Sequence, residues 1–90
     1  MAIDLYSHRK TIVDAAVRQT FPQAINVLIE PGHKGRVHVR VVSPEFNGLS
    51  ESQKQDLLWQ KLRNTLGPEA QHISLGIAYG TNEHYNENEI

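Results

Sequence analysis

Two histidines of this 90-residue sequence lie where their side chains could act together. His33 belongs to the turn segment Pro31-Gly32-His33-Lys34-Gly35 and precedes a predicted strand, while His72 directly precedes another predicted strand, Ile73 to Tyr79. A helix in the connection normally makes the two flanking strands parallel. If these strands are neighbours, they start about 5 Å apart at one end of the sheet. The two imidazoles can then converge, and neutral imidazole is a ligand for iron and zinc.

Two imidazoles do not complete a metal site, so the missing ligands would have to come from a partner. The sequence contains no cysteine, which excludes thiolate ligands, a disulfide and a thiol nucleophile from this chain. Other interpretations stay open, namely a solvated turn residue for His33 and a hydrogen-bonded residue at the start of a strand for His72. His8 and His84 have no convergent position, and we expect them to be polar surface residues.

The elements that position these histidines follow from the pattern of apolar residues. From Ser7 onward, the apolar positions repeat as one stripe of an amphipathic helix, which Pro22 ends. The stripe consists of Ile12, Val13, Ala16, Val17 and Phe21. Two short segments rich in β-branched residues follow, Ala24 to Glu30 and Arg36 to Val42, and they flank the turn that contains His33. This arrangement predicts a β-hairpin.

A second helix and a third strand are predicted in the second half of the chain. Ser50-Glu51-Ser52-Gln53 is a capping-box start, and Gly67-Pro68 ends the helix. The third strand shows alternating apolar residues from Ile73 to Tyr79. We therefore expect an α+β fold of order α-β-β-α-β, with a three-stranded mixed sheet and both helices on one face. The side chains expected to be largely buried are Val37, Val39, Val41, Leu58, Leu62, Ile73 and Leu75.

Composition predicts one domain over residues 1–90, with residues 86–90 as a frayed tail. Hydrophobic residues make up 39% of the chain and charged residues 21%, values ordinary for a globular domain. The net charge is −1, so the chain as a whole has no field that attracts nucleic acid. No apolar run is long enough for an export signal or a membrane span, and we expect a cytoplasmic protein without membrane association.

The segment Val41-Val42-Ser43-Pro44-Glu45-Phe46-Asn47-Gly48 has a pattern in which a hydrophobic strand ends in V-V-S and F-x-G follows two residues later. It stands between a turn that contains histidine and, beyond the second helix, His72-Ile73-Ser74-Leu75. Thr81-Asn82-Glu83-His84-Tyr85 is loosely similar to a T-x-E-E-W ending. From about Ala24 to Tyr85, the order and spacing resemble the BolA-like proteins. The resemblance implies the BolA fold, which is related to the type II KH domain.

The resemblance also implies a function that is not enzymatic. BolA-like proteins pair with monothiol glutaredoxins, with glutathione, around a shared [2Fe-2S] cluster. In that family one ligand comes from the hairpin loop and a second from a histidine before the last strand, and these positions correspond to His33 and His72. The expected role is therefore an adaptor in iron–sulfur trafficking or in regulation by iron and redox status, and the isolated chain is not expected to hold a cluster.

Nucleic-acid binding by a KH-like regulator is the alternative. Arg36, His38 and Arg40 share the solvent side of the second strand, and Lys34 lies beside them, so this basic row could contact phosphates. We expect such binding to be weak and strongly dependent on salt. Many relatives have a basic run early in the second long helix, where this chain has Lys54-Gln55-Asp56. No residues are spaced as a nucleophile with its base or as a closed metal site, so no catalytic residue is predicted.

Overall fold

The computed structural model of the chain describes residues 5–83. Its helices and strands, in chain order, are α1 (Leu5–Thr20), β1 (Asn26–Pro31), β2 (Val37–Val42), α2 (Glu51–Leu66) and β3 (Ile73–Tyr79). Short 3-10 turns lie at His33–Gly35, Pro44–Phe46 and Gly67–His72. The predicted order α-β-β-α-β and the α+β class are confirmed. The predicted tail at 86–90, His84 and Tyr85 lie outside the described residues.

The three strands form one mixed sheet in the order β1-β2-β3. β1 pairs antiparallel with β2 through the hairpin, and β2 pairs parallel with β3 across the connection that contains α2. Val37 at the start of β2 is the register partner of Ile73 at the start of β3. The two segments that precede these residues, one with His33 and the other with His72, therefore reach the same end of the sheet.

Both helices pack on the sheet face that carries Val37, Val39 and Val41. The buried core joins this face to apolar side chains of α1, α2 and the loops between elements. Its members are Val13, Val17, Phe21, Ile29, Val37, Val39, Val41, Phe46, Leu58, Leu62, Ile73 and Ala78. Each helix buries its apolar stripe against this sheet face, because an apolar stripe must pack against another apolar surface to be removed from water.

The segment from Val41 to Gly48, which carries the resemblance, has a clear structural role. Ser43 is fully buried, and its hydroxyl accepts a hydrogen bond of 3.3 Å from the backbone N–H of Glu45, capping the 3-10 turn that follows β2. Phe46 is also fully buried, with its ring centroid 5.1 Å from that of Phe21 at the end of α1. These side chains therefore hold the β2–α2 connection against the core.

One of the predicted core residues is not buried. Leu75 is 44% exposed, whereas the other side chains expected in the core are buried. The cause is a register shift in β3: Val37 pairs with Ile73, but the next residue, His38, pairs with Leu75, so Ser74 is an additional residue. Such a bulge transfers the following residues to the opposite face. The prediction that Ile73 and Leu75 share one face was therefore wrong.

Because of this shift, Gly76 faces α2, and we expect Gly76→Val to destabilise the protein by about 1–3 kcal/mol through overpacking. A Cβ atom at this position would lie 2.8 Å from Cδ2 of Leu58 and 3.1 Å from Cζ2 of Trp59. Urea denaturation of the wild type and the variant measures the change. The control is Leu75→Val at the neighbouring exposed position. Equal stabilities for the two variants would contradict the observed register.

Lys54 is a buried charged residue that joins α2 to the segment after β3. Its side chain is 2% exposed, and its Nζ donates hydrogen bonds of 2.6 Å to Glu51 and of 2.7 Å and 2.8 Å to the two carboxylate oxygens of Glu83. Burial lowers the pKa of Lys54, but the two carboxylates outweigh this effect and hold the pKa above its ordinary value. The backbone N–H of Gly80 and the Lys54 ammonium lower the pKa of Glu83.

The lowered pKa of Glu83 predicts a loss of stability in acid. A carboxylate with a depressed pKa in the folded state contributes stability above its unfolded pKa of about 4.3, and this contribution is lost as the pH falls through the folded value. Glu83→Gln should therefore be less stable than wild type at neutral pH and should approach it below about pH 4. Urea denaturation at each pH tests this, with the exposed Asp56→Asn as control. A difference that does not change with pH would contradict the assignment.

Candidate functional site

His33 and His72 line the same cleft, which has a volume of about 500 Å³. The cleft lies at the end of the sheet where β2 and β3 start, as the parallel pairing of these strands requires. The other residues that line it are Arg9, Lys34, Arg36 and Gln71. Both histidines therefore lie at the same end of the sheet, as expected from the strand order.

The hairpin turn that carries His33 is held in place from two directions. Within the turn, the N–H of Gly32 donates to the carbonyl of Arg36 at 2.7 Å, and the N–H of Arg36 donates to the carbonyl of His33 at 3.0 Å. From α1, Nη1 of Arg9 donates a hydrogen bond of 2.9 Å to the carbonyl of Gly35. These bonds position the turn, although the side chain of His33 is itself exposed.

His72 is more enclosed than His33 and has a carboxylate beside it. Its side chain is 23% exposed, and its Nε2 lies 3.4 Å from Oε2 of Glu69. His72 is therefore the more enclosed of the two imidazoles, and an acidic side chain lies beside it.

The donor set of the cleft is two imidazoles. Within residues 5–83, no group of three or more His, Cys, Asp or Glu side chains is arranged to hold a metal ion. A centre that uses His33 and His72 therefore needs further ligands from another molecule. Imidazole can take the place of thiolate on an iron of a [2Fe-2S] cluster, so the chemistry of these two side chains is compatible with a cluster whose other ligands come from a partner.

Sequence reasoning did not find two of the residues that line the cleft, Arg9 and Gln71. Arg9 lies on α1, 24 positions before His33, and only the packing of the helix beside the hairpin brings it to the cleft. No spacing in the sequence signals this contact. Gln71 directly precedes His72, so its position could have been inferred from that of its neighbour.

The basic row that was predicted for nucleic-acid binding is divided between two environments. Lys34 and Arg36 are exposed and line the cleft. Arg40 is only 15% exposed, its Nη1 lies 3.9 Å from Oε1 of Glu30, and its Nε and Nη1 atoms are buried without a hydrogen-bond partner. The half-buried His38 does not line the cleft. The four residues therefore do not form one continuous exposed row.

A second groove adjoins the cleft and shares Gln71 with it. This groove has a volume of about 410 Å³ and is lined by Trp59, Arg63, Gly67, Pro68, Ala70, Gln71 and Ile73. Trp59 is half-buried, and its indole N–H donates to Oε1 of Gln55 at 3.0 Å. The guanidinium of Arg63 stacks 5.7 Å from the centre of the Trp59 ring. Aromatic and guanidinium groups of this kind are common anchors in protein interfaces.

A scan against protein-family models gives no match to this sequence, and a search among curated proteins gives no significant relative. Neither helix in the described part of the chain combines the length and the apolar character needed to cross a membrane.

Proposed function

We propose that this chain is a BolA-like adaptor without enzymatic activity of its own, which supplies His33 and His72 to a [2Fe-2S] cluster shared with a monothiol glutaredoxin and glutathione. The observation that carries the proposal is the presence of both imidazoles in one cleft at the end of the sheet. Such a pairing serves iron–sulfur trafficking or regulation by iron and redox status in the cytoplasm.

Each histidine has a distinct role in this proposal. His72 is the better preorganised ligand, because its side chain is partly enclosed and Glu69 stands at one ring nitrogen. His33 is presented by a turn that Arg9 and the backbone hydrogen bonds hold in place. The cluster supplies a redox-active and transferable iron–sulfur unit, and the partner and glutathione supply the thiolates that this chain lacks.

The surface beside the cleft favours a protein, rather than a small soluble iron–sulfur complex, as the partner. The groove lined by Trp59 and Arg63 shares Gln71 with the cleft, so a protein that contributes thiolates next to the histidines also meets an aromatic anchor. The arrangement gives a partner two adjacent contacts, one through the cluster and one through the groove.

The proposal is tested by co-expression of the full chain with candidate monothiol glutaredoxins, followed by anaerobic purification. We expect a coloured heterocomplex that contains both proteins, with visible absorption and circular dichroism that differ from those of the glutaredoxin homodimer because imidazole replaces thiolate. Native mass spectrometry with iron and sulfide analysis measures the stoichiometry. A colourless preparation, or a spectrum identical to that of the glutaredoxin alone, would contradict the proposal.

A further inference from the structure

The cleft that contains the two histidines is also lined by three side chains that are always cationic at neutral pH, Arg9, Lys34 and Arg36. Among residues 5–83, none of those that line it is a carboxylate, and Glu69 contacts His72 without lining the cleft. The chain as a whole carries a net charge of −1. The positive charge is therefore a local property of the cleft and does not follow from the composition.

The backbone of Lys34, which lines the cleft, has a conformation that is energetically unfavourable for lysine. Lys34 has φ 52° and ψ 48°, and it is the only described residue other than glycine with a positive φ. This left-handed conformation is unfavourable for a residue with a Cβ, and glycine or asparagine adopts it more easily. Strained backbone of this kind is concentrated at ligand sites, where the surrounding structure maintains it.

The cationic groups that line the cleft are of the kinds that bind phosphate. Guanidinium groups present fixed pairs of N–H donors that suit the oxygen atoms of phosphate, and an ammonium adds a mobile point charge. Arg9 uses Nη1 to bind the Gly35 carbonyl, which fixes the direction of its remaining donors. A volume of about 500 Å³ is that of a small-molecule site.

We propose that this cleft binds the phosphate group of a small phosphorylated molecule between Arg9, Lys34 and Arg36. The proposal goes beyond the cluster function and does not depend on it, because it uses the permanent cations and not the imidazoles.

The distribution of the other basic residues favours one phosphate over a polynucleotide. A nucleic-acid tract needs cations spaced along several successive phosphates. Arg40 is largely covered, and Lys54 is buried against Glu51 and Glu83. Of the basic row that the sequence predicted on β2, Lys34 and Arg36 are the members that line the cleft.

The test is a titration of the full chain, without glutaredoxin or cluster, with inorganic phosphate and with glycerol 3-phosphate, followed by ¹H–¹⁵N correlation NMR. Glycerol is the phosphate-free control, and sodium chloride keeps the ionic strength constant. We expect shifts confined to the amides of residues 32–36 and 71–73. For a ligand as small as inorganic phosphate, the dissociation constant should be on the order of millimolar. Glycerol should give no shift.

Arg36→Gln removes one cation from the exposed rim of the cleft and should weaken phosphate binding about tenfold, because charge-assisted hydrogen bonds are the strong contacts in such a site. Lys10→Gln makes the same change of charge at an exposed position of α1 outside the cleft and should bind like the wild type.

Three results would overturn the phosphate proposal. The first is the absence of specific shifts, and the second is equal affinities for Arg36→Gln and Lys10→Gln. The third is tighter binding of a ten-nucleotide single strand than of glycerol 3-phosphate, with shifts spread over β2 and β3, which would indicate a nucleic-acid surface instead. None of these results bears on the glutaredoxin heterocomplex, whose failure would be seen as a loss of cluster colour.

Discussion

Replacing His33 and His72 together by alanine is expected to remove stable cluster retention from the heterocomplex with a monothiol glutaredoxin. Both proposed iron ligands in the cleft are lost in this variant. Loss of an outer-shell partner of a metal ligand typically costs about 10- to 100-fold in affinity, and loss of the ligands themselves should cost more. The decay of visible absorption and circular dichroism in air measures the cluster lifetime of each reconstituted complex.

The two single variants should differ from each other. His72→Ala removes a proposed ligand that is partly enclosed and lies beside Glu69, whereas His33→Ala removes an exposed side chain in a turn. A preorganised ligand loses less conformational freedom on binding, so its removal costs more. We therefore expect a shorter cluster lifetime for His72→Ala than for His33→Ala.

The matched control is His8→Ala, since His8 is exposed on α1 and does not line the cleft. His38 is a less suitable control, although it lies on β2 outside the cleft. Its ring lies close to Gly32, since a Cβ atom added to Gly32 would stand 2.8 Å from Cδ2 of His38. Truncation of His38 would therefore loosen the turn that carries His33. Equal spectra and lifetimes for wild type and the double variant would exclude both histidines as ligands and leave a cluster-independent interaction domain.

Leu62→Ala is expected to destabilise the folded protein by about 2–5 kcal/mol, because it removes a buried side chain and leaves a cavity that the core fills only in part. Leu62 is completely buried within the core between α2 and the sheet. Since small domains are stable by only about 5–15 kcal/mol in total, this is a large fraction of the stability. Urea denaturation followed by far-UV circular dichroism measures the change.

Leu75→Ala is the matched control, because the same side chain is removed from a position that is 44% exposed. We expect a cost below about 1 kcal/mol, since much of this side chain already contacts solvent. The sequence pattern predicted that both leucines are buried, whereas the observed register leaves Leu75 partly exposed. The stabilities of the two variants show which of these is correct. Similar costs for both changes would place Leu75 in the core and contradict the bulge at Ser74.

Features that depend on neighbouring residues could be predicted from the sequence. α2 begins where the capping box predicts, with the Ser50 hydroxyl accepting from the N–H of Gln53 and the Gln53 side chain accepting from the N–H of Ser50. Gly67 ends the helix with φ 59°, a conformation that glycine adopts without strain. The hairpin and the parallel pairing of β2 with β3 also followed, because connection lengths restrict how successive strands pair.

Only the tertiary structure decided which side chains surround these elements. The bulge at Ser74 sets the faces of β3, yet it arises from pairing with β2, more than thirty residues earlier. Lys54 is buried because Glu83 folds back onto it, and Arg9 reaches the cleft because α1 packs beside the hairpin. Local sequence sets periodicity, caps and turns. Contacts between distant segments are chosen by packing of the whole core, so the position of Arg9 beside the two histidines could not be inferred from the sequence.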